Sequence, residues 1–235
     1  LNPSGKVITV RGQIDSQGEP ITILDAQGGS SVLEFSSIEG SSTIFENLVL
    51  TGGAAPSGAG LYCAGASPQL TNCVFRDNSA TYDGGGIFLE SSNPTLNRCR
   101  IVMNQARRGG GMYCSTSDPI LNDCEIQRNT ATQELGGGIY CGGGSLPILT
   151  DTTVCENVSD QLYGGYENNG GNCFSSSCVD TDGGATGVGA GGASATSPSS
   201  QCPNRIGAPS SPAGWGAWRS RDHLGATRRT RCQTG

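Results

Sequence analysis

GGGIFLESSNPTLNRCRIVMN (84–104) and GGGMYCSTSDPILNDCEIQRN (109–129) are two readings of one pattern, and that pattern decides the fold. GAGLYCAGASPQLTNCVFRDN (58–78) precedes them and GGGIYCGGGSLPILTDTTVCEN (136–157) follows, in the same order of residue types. The prolines Pro68, Pro94, Pro119 and Pro147 are 26, 25 and 28 residues apart. Two residues after each proline stands Leu70, Leu96, Leu121 or Leu149, and seven after it Phe75, Ile101, Ile126 or Val154. Ten after it stands Asn78, Asn104, Asn129 or Asn157. Self-similarity at a fixed period of this length marks a solenoid, propeller or array.

Within a unit the apolar residues come as i, i+2 pairs separated by Gly, Pro, Ser and Asn clusters, which is the strand period with turn punctuation. A unit of this size cannot bury its own apolar face. Coiling the chain so that equivalent strands stack in parallel lets each coil cover the next and builds one continuous core. Strands stacked this way lie about 4.8 Å apart, so each column becomes a ladder of like residues, and about six coils make a rod on the order of 30 Å long. Asparagines in such a column can hydrogen-bond along the axis and satisfy the backbone of a tight bend. The glycine triplets allow positive φ and close packing at a corner. The expectation is an all-β, right-handed parallel β-helix of about six coils over residues 1–182, with repeats at 58–83, 84–108, 109–135 and 136–163. Less regular β-prone runs at Lys6–Val10, Ile21–Asp25, Val32–Phe35 and Ile44–Thr51 read as earlier coils.

Composition agrees with this reading and removes other classes. Of 235 residues 38 are glycine, more than twice the ordinary share, while only 14% are charged. Residues 1–182 carry a net charge of −11, which disfavours nucleic acid as a partner. No run approaches the roughly 20 apolar residues of a membrane span. A single His argues against a histidine-based zinc site. From 183 the composition changes to a Gly/Ser/Pro/Arg-rich tail of net charge +5, holding both tryptophans and showing no period. This tail, 183–235, is expected to be disordered, or to be a frame-shifted reading of an anchoring module.

The repeats resemble those of right-handed parallel β-helix proteins of the pectin-lyase-like superfamily. The Gly-Gly-Gly-Ile (84–87) and FRDN (75–78) elements also resemble repeats of polymorphic outer-membrane proteins. The segments SGKVITVRG, ITILDAQGGS and FENLVLTGG (within 4–53) are similar to entry coils of secreted bacterial β-helix proteins, and VCENVSDQLYGGYENNGGNCFSSSC (154–178) to an exit coil. The resemblance covers residues 4–182 and implies fold far more specifically than activity. It also implies a missing first coil, so the chain is expected to be a fragment with an exposed edge. Family enzymes act on extended polysaccharides, lyases with calcium held by clustered carboxylates and an Arg or Lys base, hydrolases with two or three Asp.

The eleven cysteines admit two readings, disulfide staples of a secreted protein or buried packing. Cys73, Cys99 and Cys124 form one column, and Cys63, Cys114 and Cys141 another that Leu89 interrupts. These six are expected to be core thiols. Cys155, Cys173 and Cys178 break the repeat and are the better disulfide candidates.

For catalysis, Asp77, Asp83, Glu90, Asp118, Asp123, Glu125 and Glu134 fall in different columns. Arg98–Asp123 and Arg100–Glu125 read as surface ion pairs between coils, and Arg107-Arg108 as a solvent-facing turn. No catalytic residue, cofactor or metal is expected, calcium entering only with the enzyme alternative. The residue between the two inward positions of each first strand is Tyr62, Phe88, Tyr113 or Tyr140, which alternation turns outward as an aromatic stripe. Such a row either stabilises the sheet exterior or binds sugar rings and protein partners. The resulting expectation is a secreted or cell-surface bacterial module, structural or adhesive, meeting extracellular polysaccharide or other surface proteins. The alternatives are a polysaccharide lyase or glycosidase, or a fragment of one, and a carbohydrate-binding module using the stripe.

Overall fold

Each repeat folds as its alternation requires, with one residue of every i, i+1, i+2 triplet turned the opposite way from its neighbours. In the computed structural model the described residues are 1–36, 42–133 and 135–177, with the backbone of two short antiparallel strands, Arg219–Arg221 and Thr227–Arg229. Apart from that strand pair, the tail 183–235 lies outside the described residues, as do Cys178 and Glu134. The described residues contain no helix long and apolar enough to cross a membrane.

Sheet I stacks Leu33–Phe35, Leu61–Ala64, Ile87–Glu90, Met112–Ser115, Ile139–Gly142 and Leu162–Tyr163. Sheet II stacks Thr9–Arg11, Ile44–Glu46, Gln69–Thr71, Thr95–Asn97, Ile120–Asn122, Ile148–Thr150 and Glu167–Asn168. Sheet III stacks Thr22–Asp25, Leu48–Thr51, Val74–Arg76, Arg100–Val102, Glu125–Gln127, Thr153–Cys155 and Cys173–Ser175. A narrow sheet IV adds Ala54–Ser57, Ser79–Asp83, Gln105–Ala106 and Thr130–Ala131. Neighbouring strands in all four are parallel, and in sheets I to III they are in register, Leu70 beside Leu96 beside Leu121 beside Leu149. From Leu33 onward the chain passes six times through sheets I, II and III, an all-β solenoid of the kind expected.

The inward columns make one core. Leu61, Ile87, Met112 and Ile139 line it from sheet I, the four repeat leucines from sheet II, and Phe75, Ile101, Ile126 and Val154 from sheet III. At the entry end Phe35 and Phe45 meet edge to face, with centroids 5.7 Å apart. The six columnar cysteines are buried thiols, Leu89 standing in register between Cys63 and Cys114. Burial pushes the Cys73 and Cys124 thiols well above their usual value, so they stay protonated at neutral pH. Cys155 and Cys173, on the last two strands of sheet III, are both disulfide-bonded, as expected of cysteines that break the repeat.

Each bend is a column of left-handed residues. Between sheets II and III these are Asn47, Asn72, Arg98, Asp123 and Asp151, with φ of 48° to 57°. Only the first glycine of each triplet has positive φ, Gly84 and Gly109 among them. The third is needed for close approach, since a Cβ on Gly86 would lie 2.6 Å from the Gly111 carbonyl oxygen. Beside it runs the asparagine ladder. Asn104 Nδ2 donates to Phe75 O and Asn129 Oδ1, both at 3.0 Å, while its own Oδ1 accepts from Asn78 N at 3.1 Å. Asn129 repeats the arrangement onto Asn157, and Gln161 closes the ladder by accepting from Asn157 Nδ2 at 2.9 Å. A shorter serine ladder, Ser92–Ser117–Ser145, supports the bend from sheet I to sheet II through N–H to Oγ bonds of 3.0 Å.

The entry coil departs from the repeat. Where later coils turn from sheet II to sheet III in two residues, such as Asn72-Cys73, residues 12–21 form a strap between Arg11 and Thr22. Ile14 and Pro20 bridge antiparallel within it. The strap lies along the solenoid, so that Glu19 pairs with Arg100 three coils away. Arg100 and Glu125 are in register as expected, but Arg100 is not a surface charge and Glu125 is partly buried. Arg100 is 5% exposed and its ion-pair partner is Glu19, because the strap covers this corner.

Candidate functional site

Outward side chains of sheet I form the most regular feature of the surface. Strand alternation buries Ile87 and Leu89, or Met112 and Cys114, and turns the residue between them out. Register pairing then places Tyr62, Phe88, Tyr113 and Tyr140 in one line along the rod. The rings stack with centroids 5.2, 5.5 and 5.0 Å apart and planes within 10° of parallel. Tyr163 extends the row, 4.9 Å beyond Tyr140 and tilted by 24°. Tyr163 was missing from the stripe read in the sequence because no glycine triplet announces its coil. Its signal was the dipeptide Leu162-Tyr163, which repeats Leu61-Tyr62 and Ile87-Phe88.

This geometry determines what the row can do. A sugar ring or planar ligand stacks on the face of an aromatic ring. Here each inner ring has both faces against its neighbours, so the row presents edges and the phenolic hydroxyls of Tyr62, Tyr113, Tyr140 and Tyr163. Burial, followed by the nearby Glu90 and Glu34 carboxylates, raises the Tyr62 phenol above its usual value, so it remains a hydrogen-bond donor well past neutral pH. Glu34 stands in register with Tyr62 at the entry end.

Arg108 corrects the expectation of a solvent-facing Arg107-Arg108 turn. Its Nε and Nη2 donate to Asp83 Oδ1 and Oδ2 at 2.7 and 2.8 Å, a two-pronged pair between adjacent coils. Its guanidinium carbon lies 5.1 Å from the Tyr113 centroid and 5.5 Å from that of Tyr140. With those rings 5.0 Å apart, the guanidinium stands beside the gap between them, bordering the stack. Asp83 and Arg108 are 25 positions apart, one repeat, which is the sequence signal that places them side by side.

Four of the described acidic residues stand in separate ion pairs along the rod. Asp83 pairs with Arg108, Asp77 with Arg76, Glu156 with Arg128 and Glu46 with Arg11. Among the described residues no group of three or more His, Cys, Asp and Glu side chains is placed to hold a metal ion.

The profile of a family described as the right-handed β-helix region matches residues 21–195, about three quarters of the chain. The chain belongs to the right-handed β-helix family. For this β-helix, family membership and the stacked parallel sheets agree on the architecture, and the family supplies the right hand of the coil. The match is to β-helix repeats at large and does not extend to the narrower likeness to polymorphic outer-membrane proteins. No curated protein and no solved structure matches the chain.

Proposed function

We propose that this β-helix is a structural and adhesive module of the bacterial cell surface or its surroundings, without catalysis of its own. The observation that carries this reading is the aromatic stack. Its rings bind one another along the rod, stiffening five successive coils, and leave a flat lateral face of ring edges, hydroxyls and the Arg108–Asp83 pair for a partner. Such a face suits a surface protein or an extended extracellular polysaccharide held by hydrogen bonds. It suits face-on sugar stacking less well, which sets the carbohydrate-binding alternative behind the adhesive one. Of the acids weighed for a lyase or glycosidase, Asp77 and Asp83 are engaged in ion pairs with Arg76 and Arg108, which weighs against the enzyme alternative.

The test is retention of the full chain on immobilised extracellular polysaccharides and surface proteins, with the bathing solution assayed for new reducing ends and unsaturated sugars. Retention without products is the expected result, weakened by the pair Tyr113→Ser and Tyr140→Ser. Product release, with or without calcium, would overturn the reading in favour of an enzyme.

A further inference from the structure

Residues 12–21 are an insertion that reaches three coils beyond its own, where the Arg100 guanidinium it meets is buried. The strap is folded on itself, with Asp15 N donating to Glu19 O at 2.9 Å and Ile21 N to Gln13 O at 3.0 Å. It is tied to the later coils at its tip, where Asn72 Nδ2 donates to Gly18 O at 3.0 Å and Arg100 pairs with Glu19. Arg100 is also in register with Glu125 on the next strand, so a single buried guanidinium has a carboxylate on the strap and another on the solenoid. Gln127 Nε2 donates to Glu125 Oε1. Arg128, paired with Glu156 at 2.6 Å, also faces Glu125, and Thr153 is its uncharged neighbour in register on the far strand.

Two ionised carboxylates around the buried Arg100 would bring an excess negative charge to a partly buried corner, which is costly. The Arg100 and Glu125 strands are fixed in the sheet III ladder, their amides donating to Cys73 O and Cys99 O at 2.9 Å. The strap has no ladder to hold it at its tip. We propose that the strap is a pH-sensitive clasp, closed on Arg100 while Glu125 is protonated and released when Glu125 ionises. Burial raises the Glu125 carboxyl from 4.5 to about 7, with Arg100 opposing the rise, Glu19 adding to it, and Arg128 and Gln127 opposing it. The sign follows from linkage: closure retains the proton, so it is favoured at low pH and weakens as pH climbs from 4.5 toward 7.

Hydrogen exchange on the full chain, corrected for intrinsic rates, tests this at the Glu19 and Ile21 amides, with Ile101 as a solenoid control. If opening returns Glu125 to 4.5, strap protection falls about 30-fold between pH 5.5 and 8.5 while that of Ile101 stays level. Glu125→Gln is expected to abolish the step with the strap closed at both pH values, and Glu19→Gln to leave it open at both. A step that persists in E125Q, a native strap without a step, or a matching change at Ile101 would overturn the clasp. Carboxyl titration by NMR gives a second readout. A Glu125 midpoint near 7 that drops in E19Q supports the clasp, and a midpoint in the ordinary carboxylate range refutes it.

Discussion

Asn104 shows how much a single column position carries. It is 1% exposed, and its amide closes bonds to Phe75 O, to Asn129 and to the backbone of Asn78. Replacing it with Ala removes a partner from the buried Phe75 O and Asn78 N on the coil before and one donor from Asn129 Oδ1 on the coil after, and a destabilisation of about 2–4 kcal/mol is expected in urea unfolding. Asn122 shares one side-chain bond with Asn97 at 3.0 Å in a half-buried bend, so Asn122→Ala should lose about 1 kcal/mol or less. The asparagine column was visible in the sequence as a period. Arg100 was not read correctly at this scale, because its register with Glu125 follows from the repeat whereas its burial depends on a strap outside the repeat.

Among the elements, sheet I and the last coil allow separate tests. An inner ring of the aromatic stack has two neighbours and the end ring one, so Tyr113→Ser should cost about 1–2 kcal/mol and Tyr163→Ser roughly half of that, with matching losses in near-ultraviolet circular dichroism. Cys155 and Cys173, both disulfide-bonded, stand on the last two strands of sheet III, so their cross-links bear on the final coil. Reduction, or joint replacement of both by Ala, is expected to lower stability by about 3 kcal/mol. The loss of protection should be confined to the coil around Leu162–Tyr163 and Cys173–Ser175. Four of the five stack members were legible from alternation alone. Arg108 and Asp83 were not paired in the sequence reading, although their separation of one repeat was available to it.

At the scale of the molecule, each coil contacts chiefly the coils before and after it, so stability is close to a sum of coil and interface terms. Hydrogen exchange should accordingly be slowest in the middle coils, at Ile87, Leu96, Ile101 and Met112, and faster toward both ends. The entry coil should be the more labile end, since Val7, Ile21 and Ile23 there are each more than half exposed. Uniform exchange from end to end would instead mean that the rod opens as one unit.

By itself the sequence determined the strands, their inward and outward faces, the solenoid and the columns of Leu, Asn and Cys. All of these are consequences of a period near 25 residues that stacks like upon like. Tertiary structure alone decided how the outward groups are used. Whether a tyrosine row offers faces or edges depends on ring tilt between coils, and whether Arg100 is a surface charge or a buried one depends on where the strap lies. Both are set by packing perpendicular to the chain, between residues whose separation a linear period either leaves open, as with ring orientation, or does not contain, as with Glu19 and Arg100.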